Sequence, residues 1–280
     1  MTMPDPKQLP FLIRLLEDDT PAIRKTVLQE LSAFGSSLED ELAGMGLMLS
    51  PEGADLLKAF ASEKNQMWLK EVWPAWFCLG DEKEKLEAAL GTIAEYLENR
   101  LRPGKLRVLL DDLATEYRTR HKTSDVRDLS RFLFSTKNLV GDRHDYYNPQ
   151  NSNLLYVIEQ GKGIPISLVS IFILVGRRLG IPIEGCNFPG HFLAITSELD
   201  KPLVIDCFNG GIIVDDLLLA RYLDPVSVTV QDLTLLQCDT LTLVSRVLRN
   251  LVNAYRSSKQ PGEERLMREI LESMSGESQN

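Results

Sequence analysis

The sequence predicts an α+β protein with a helical N-terminal region, a core whose small antiparallel sheet packs on a helix, and a C-terminal helical hairpin. Apolar residues recur at helical spacing through about residue 120. An apolar helical run at 163–180 then precedes three short Ile-, Val- and Phe-rich segments. Two amphipathic segments flank the turn "KQPGEE" near the end of the chain. The predicted regions are 1–122, 123–238 and 239–280.

Composition limits the classes of partner. A hydrophobic fraction of 44% and a charged fraction of 25% are those of a globular protein. The net charge of -9, without a basic stripe, disfavours nucleic acid as a partner. The longest apolar run ends at Arg177 and Arg178, and the N-terminus lacks a signal-peptide pattern. We therefore expect no membrane association and a cytoplasmic location.

The four cysteines indicate free thiols in a reducing compartment. Cys78, Cys186, Cys207 and Cys238 lie far apart and form no CxxC pair. This spacing fits neither a disulfide framework nor a zinc ribbon. No metal or other cofactor is expected.

The first helices are predicted from apolar spacing and from a proline. Leucines and other apolar residues recur at helical intervals through "LPFLIRLLEDDTPAIRKTVLQELSAFG". Asp19 or Thr20 can cap the second helix, and Pro21 suits its first turn. The turn between the two helices resembles that of one HEAT repeat. A second copy is not evident, so a solenoid is not predicted.

Helices are predicted to continue at 54–62, 67–80, 81–101 and 105–121, the second of them ending or kinking near Pro74. The aromatic residues of this region are Trp68, Trp73, Trp76 and Phe77. We expect them to pack the helical layer against the next domain, since aromatic side chains dominate buried contacts. An exposed binding surface is the alternative.

The central region alternates helices with a polar loop. Helices are predicted at 125–141 and 153–163, separated by the turn-rich loop 142–153. The strands are predicted at 181–188, 191–197 and 202–208, followed by a short helix at 214–223. The C-terminal hairpin resembles a single tetratricopeptide unit. One unit cannot bury its apolar face alone, so it should dock on the core.

His191 and Asp206 are the main candidates for chemistry. If 191–197 and 202–208 are neighbouring strands, the two side chains can approach each other. A carboxylate on one imidazole nitrogen fixes the tautomer and stabilises the imidazolium. A nucleophile would then be expected at the start of the apolar helix, where the helix dipole stabilises an anion.

Several motifs together resemble the transglutaminase-like, or papain-like, core. They are "YYNPQNSNLLYVI", "GIPISL", "RRLGIPI", "NFPGHFL" and "IDCFNGG", followed by "VLRNLVNAY". More narrowly, the chain resembles the bacterial SirB-type branch, in which this core is joined to a tetratricopeptide-like tail. The resemblance spans about residues 145 to 256. The helical N-terminal region also fits that branch.

The resemblance assigns roles to individual residues. It implies that His191 stands at the family's general base and Asp206 at the orienting aspartate. Active members begin the helix with Gly-x-Cys, where this chain has Gly163-Ile164-Pro165. Proline suits a first helical turn but carries no nucleophile. The fold is expected to persist without the thiol chemistry.

Three other residues are weighed as nucleophiles. Ser167 lies two residues further into the helix, where serine ordinarily caps. Cys186 can approach His191 across a hairpin, although a buried cysteine is more often a small apolar residue. Cys207 adjoins Asp206, and adjacent strand residues point to opposite faces.

Further polar residues are predicted to line the same cleft or to make local turns. Asn148, Asn151, Ser152 and Asn209 lie in loops, where such side chains commonly bond to nearby backbone. His121 ends a helix and is expected to be solvated. His144 lies between Asp142 and Asp145, but this spacing matches no established metal-ligand pattern.

Three functional hypotheses follow. The first is a non-catalytic binding or adaptor protein that uses the His191–Asp206 cleft and its helical flanks to bind a protein or peptide. The second is a hydrolase or acyl transferase that uses Ser167 or a displaced cysteine. The third places binding wholly in the HEAT-like and tetratricopeptide-like parts.

Overall fold

The computed structural model describes residues 5–16, 18–99, 102–188, 191–196, 202–219, 221 and 229–277. The chain divides into two compact units, Met1–Val72 with Glu98–Leu101 and Trp73–Leu97 with Arg102–Asn280. Pro189 and Gly190 of the predicted "PGHF" motif lie outside the described residues, as do the connection 197–201 and the last three residues.

The first unit is helical. Its helices are α1 (Leu9–Leu16), α2 (Pro21–Ala33), α3 (Leu38–Gly44) and α4 (Pro51–Val72). Pro21 takes the first position of α2 after the N-cap Thr20, as expected. Leu9 and Leu31 lie in the buried core that α1 and α2 share.

One helix replaces two predicted segments in this unit. The sequence indicated helices at 54–62 and 67–80, whereas α4 runs unbroken for 22 residues. The intervening residues "EKNQ" are polar, and most of them favour helix, so nothing interrupts it. The helix ends at Val72, ahead of Pro74, and a 3₁₀ turn at Trp73–Cys78 follows.

The second unit contains the remaining helices. They are α5 (Glu82–Leu97), α6 (Lys105–Arg120), α7 (Val126–Arg131), α8 (Leu154–Gln160), α9 (Pro165–Leu179), α10 (Asp216–Leu219), α11 (Thr240–Ser257) and α12 (Pro261–Glu277). Helix α9 is the central one and packs on α6, α8 and the sheet. It begins at Pro165 and ends at Gly180, whose φ of 72° is the left-handed conformation that glycine readily adopts.

The sheet has five antiparallel strands. The strands of the unit are β1 (Val140–Gly141), β2 (Lys162–Gly163), β3 (Glu184–Cys186), β4 (Leu193–Thr196), β5 (Leu203–Asp206), β6 (Ile212–Val214) and β7 (Gln237–Cys238). The sheet order is β6-β5-β4-β3-β7, while β1 and β2 form a separate parallel pair. The predicted strands are present as β3, β4 and β5, and α9 contacts β3 and β4. This arrangement confirms the α+β class.

The C-terminal helices form a hairpin that packs within the second unit. Helix α11 packs against α12 and also contacts α5, α9 and β7. Its inward residues, among them Leu248 and Leu251, are fully buried. Trp73 and Trp76 are also buried and meet edge to face at 5.8 Å. Among the described residues, no helix has both the length and the apolarity that crossing a bilayer requires.

Candidate functional site

Strand pairing places His191 and Asp206 at the same end of two neighbouring strands. Ala194 of β4 pairs with Ile205 of β5, so the register sets Asp206 opposite Leu193. His191 lies two residues before Leu193. The His191 side chain is half-buried, whereas Asp206 is fully buried.

Asn209 binds the buried carboxylate of Asp206. Its backbone N–H donates to Oδ1 at 3.0 Å, and its side-chain amide donates to Oδ2 at 2.7 Å. The Asn209 side-chain oxygen in turn accepts a hydrogen bond from the guanidinium of Arg143. A polar chain therefore connects the buried carboxylate to an exposed cation.

The start of α9 presents a proline. Pro165 is the first helical residue, and the N-cap Ile164 makes no side-chain cap. Ser167 does not cap the helix either, because its hydroxyl donates to the backbone carbonyl of Asn151 at 2.6 Å. The Ser167 side chain is fully buried, so this hydrogen bond satisfies its donor away from solvent.

The two cysteines weighed as nucleophiles are buried thiols. Cys186 is fully buried, and its sulfur lies 3.7 Å from the carbonyl oxygen of Leu233. Burial, with a smaller contribution from Cys238, raises the pKa of the Cys186 thiol to about 12. Burial also raises the pKa of Cys207, and the charge of Asp206 adds to it. Since the thiolate is the nucleophilic form, neither residue is activated at neutral pH.

The polar loop before α8 is organised by its own side chains. Asn148 accepts a hydrogen bond from the Gln150 backbone N–H at 2.9 Å and caps the 3₁₀ turn Pro149–Ser152. The buried Asn151 amide donates to the Asp145 carbonyl at 2.6 Å. Asp142 accepts from the backbone N–H groups of residues 144 and 145, and these bonds lower the pKa of its carboxyl. The asparagines thus shape the loop.

A close glycine contact joins this region to the turn after Asp206. Gly141 pairs with Gly163, which lies two residues before Pro165. A Cβ on Gly141 would lie 2.5 Å from the ring of Phe208, and one on the buried Gly163 would lie 2.8 Å from Val157. Only glycine permits these approaches. They bring the turn after β5 against the segment that enters α9.

A small cavity lies at the start of α9. Ser152, Asn148 and Ile164 line a cavity of about 10 Å³ whose other wall includes Asn250 of α11. Such a volume holds about one water molecule. A cleft of about 650 Å³ lies at the other end of α9, beside Gly180, and His191 does not line it.

The other histidines stand apart from this site. His121 stacks on Tyr117 at 4.4 Å, and its Nδ1 lies 4.0 Å from Asp128, so it is less solvated than expected. His144 is exposed and contributes its backbone N–H to Asp142. Within the described part of the chain, no cluster of three or more His, Cys, Asp or Glu side chains is arranged for a metal ion.

Two arginines near the site were missed in the sequence. Arg143 lies 5.1 Å over the ring of Phe208, and Arg246 lies 5.4 Å over the ring of Phe192. The available signal was a cation followed closely by the pair Tyr146-Tyr147 in a polar loop. Arg246 gave no signal, because only the packing of α11 brings it to the sheet.

Known proteins resemble part of this chain. A UPF0162 protein of Xylella fastidiosa is 36% identical over 148 residues, which are 46% of this chain and 48% of the relative. A UPF0162 protein of Vibrio cholerae is 33% identical over 84 residues, 30% of this chain and 31% of the relative. The F-box only protein 21 of Mus musculus is 36% identical over 87 residues, 28% of this chain and 14% of that protein.

The chain spans about half the length of the first of these curated relatives and less of the others. No solved structure matches it. The model of the transglutaminase-like superfamily matches residues 84–249, which include α9, His191, Asp206 and most of α11. Because that match covers more than half of the 280 residues, the chain belongs to the transglutaminase-like superfamily.

Proposed function

We propose that this protein is a non-catalytic transglutaminase-like module that binds a protein or peptide partner at the surface around His191 and Asp206. The observation that carries the proposal is Pro165 at the first position of α9. The family resemblance puts the nucleophilic cysteine at this position. A proline ring has no group that can attack a carbonyl.

The neighbouring hydroxyl and thiols support the same proposal. The Ser167 hydroxyl is committed to the Asn151 carbonyl inside the protein. Cys186 and Cys207 are buried with raised pKa values, so their nucleophilic forms are scarce. An activated nucleophile needs a base within hydrogen-bond reach and access to substrate. These three side chains lack that access.

The rest of the chain supports a role in assembly. We assign the protein to the SirB-type branch, with a HEAT-like hairpin in α1–α2 and a tetratricopeptide-like hairpin in α11–α12. Both are helical modules of a kind that commonly bind proteins. The regions 1–122, 123–238 and 239–280 are its proposed domains. The four cysteines are free thiols, which supports a reducing, cytoplasmic location.

A turnover assay tests the absence of catalysis. The purified protein is incubated with a casein digest and a dansyl-labelled primary amine, and both amine incorporation and peptide hydrolysis are measured. We expect neither reaction above a buffer blank. Turnover that iodoacetamide abolishes would overturn the proposal, and turnover lost in Ser167→Ala would favour the hydrolase hypothesis.

A further inference from the structure

Arg143 is held over the site by neutral groups. Its guanidinium donates to the side-chain oxygen of Asn209 and lies 5.1 Å from the centre of the Phe208 ring. Arginine carries five N–H donors, and this bond uses one of them. The side chain is exposed, so its remaining donors face solvent close to the turn that follows Asp206.

Arg246 of α11, which is half-buried, makes the same kinds of contact with residues on either side of His191. Its guanidinium donates to the side-chain oxygen of Asn187 and lies 5.4 Å from the centre of the Phe192 ring. Asn187 and Phe192 lie on either side of His191 in the chain. Each arginine is therefore fixed by one amide oxygen and one aromatic face, beside one member of the His191–Asp206 pair.

Two other arginines of the second unit pair with carboxylates. Arg178 pairs with Glu87 at 2.7 Å and with Asp111 at 2.6 Å, and Arg268 pairs with Glu264 at 2.6 Å. Among the residues that the structure describes, neither Arg143 nor Arg246 has a carboxylate oxygen within ion-pair distance. Both guanidiniums lie next to residues that flank His191 or follow Asp206, in a chain whose net charge is -9.

Four carboxylates of this part of the chain accept hydrogen bonds from other donors. Asp142 accepts hydrogen bonds from the backbone N–H groups of residues 144 and 145, and Asp145 accepts one from the Asn148 side-chain amide at 2.9 Å. Asp206 accepts both bonds from Asn209, and Asp239 accepts the Thr242 backbone N–H at 2.8 Å as the N-cap of α11. Each of these carboxylates is thus held by donors other than Arg143 and Arg246.

Two tyrosines connect the arginines. Tyr146 meets the ring of Phe208 edge to face at 6.3 Å and that of Tyr147 at 5.4 Å. Both tyrosines line the small cavity that Asn250 of α11 also lines, and Asn250 lies about one helical turn after Arg246. Tyr146 is 39% exposed and Tyr147 56% exposed. Tyrosine and arginine are the residue types enriched at protein-binding hot spots.

We propose that the arginine–tyrosine surface, formed by Arg143, Tyr146, Tyr147 and Arg246, binds an acidic segment of a protein partner. A carboxylate of the segment pairs with each guanidinium, and the tyrosines pack against the intervening residues. The guanidinium fork suits carboxylates, and aromatic faces supply apolar contact at low entropic cost. This inference rests on the proposed function and names the chemistry of the partner.

The test compares a fluorescein-labelled glutamate-rich peptide with its glutamine counterpart by fluorescence anisotropy. The full chain is titrated at low and high salt, and the variants are Arg143→Gln, Arg246→Gln and the double substitution. Arg268→Gln is the matched control, since it removes an exposed arginine that is already paired. Thermal unfolding checks that every variant remains folded.

We expect the glutamate peptide to bind more tightly than the glutamine peptide, and salt to weaken that binding. Each single substitution should weaken it about three- to ten-fold, the double substitution more, and the control not at all. Equal binding of the two peptides, or wild-type binding by the double variant, would overturn the inference. The inference would also be overturned if a single-stranded oligonucleotide bound more tightly than the glutamate peptide.

The outcomes separate this inference from the proposed function. Equal binding of both peptides, without turnover of casein, leaves the non-catalytic binding module in place and removes only its acidic preference. Turnover that iodoacetamide or Ser167→Ala abolishes removes the proposed function, whichever peptide binds.

Discussion

Asn209 hydrogen-bonds both carboxylate oxygens of Asp206, through its backbone N–H at 3.0 Å and through its side-chain amide at 2.7 Å. Asp206 is completely buried, so its charge relies on such donors in place of water. The same asparagine accepts from Arg143. One residue of a short turn therefore determines both the solvation of the buried carboxylate and the position of an exposed cation.

Substitution of Asn209 should destabilise the protein measurably. Asn209→Ala keeps the backbone donor but removes the bond to Oδ2, which leaves a buried carboxylate oxygen with one donor fewer. We expect the free energy of unfolding to fall by about 1–3 kcal/mol in urea titrations. Asn253→Ala, on the exposed face of α11, is the control and should change it by less than about 0.5 kcal/mol. Equal effects of the two substitutions would contradict the role of Asn209.

A cysteine at position 165 should react as a helix-terminal thiol. Pro165→Cys places a thiol at the positive end of the 15-residue helix α9. That environment lowers a thiol pKa and raises the thiolate fraction. We expect iodoacetamide at neutral pH to alkylate the introduced thiol faster than Cys78, which is exposed but outside this site.

The contribution of His191 to that reactivity is separable. Adding His191→Ala to the Pro165→Cys variant should slow alkylation if the imidazole acts on the introduced thiol, while the unfolding temperature reports any loss of fold. A thiol at position 165 that reacts no faster than Cys78 would show that the start of α9 does not activate a nucleophile.

The buried thiol of Cys186 should make stability fall in alkaline solution. Burial raises its pKa from 9.0 to about 12 in the folded protein, so the folded state holds the proton more tightly than the unfolded chain does. The resulting stabilisation is complete below about pH 9 and is lost as the pH rises towards about 12. By about pH 10 the loss should reach about 1.4 kcal/mol.

Urea unfolding at several alkaline pH values tests this dependence. Cys186→Ala should show a shallower fall in unfolding free energy than the wild type, although it is less stable at neutral pH. Cys78→Ala, which removes an exposed thiol, should follow the wild-type slope. If the unfolding free energies of wild type and Cys186→Ala fell with pH at the same rate, the Cys186 thiol would not be the source of the alkaline loss of stability.

Two glycine substitutions should change the free energy of unfolding in opposite directions. In Gly141→Ala the added Cβ would lie 2.5 Å from the Phe208 ring and 2.7 Å from its backbone oxygen, so the turn after Asp206 must move. We expect a loss of about 1–3 kcal/mol. Gly91, inside α5, has nothing within 4 Å of such a Cβ, and Gly91→Ala should stabilise by about 0.5–1 kcal/mol. Chemical denaturation of both variants checks the signs.

The helices and strands of the core could be predicted because their signals are local. Pro165 and Gly180 mark the two ends of α9 by their own backbone preferences, which do not depend on distant residues. The strands β3, β4 and β5 were found for the same reason. Strands β6 and β7 were not, since segments of two or three residues carry too little pattern and form only when a neighbouring strand offers hydrogen bonds.

The sequence by itself determined that a proline opens the apolar helix, because that conclusion needs only the residue type and the local pattern, whereas its place at the family's nucleophile position remains a proposal. The predicted domain limits remain a proposal. Only the tertiary structure decided that Ser167 bonds to Asn151, that Asn209 bonds to Asp206, and that Arg143 and Arg246 lie over Phe208 and Phe192. Arg143 and Asn209 are 66 residues apart. Their contact depends on strand register and helix packing, which no local preference encodes.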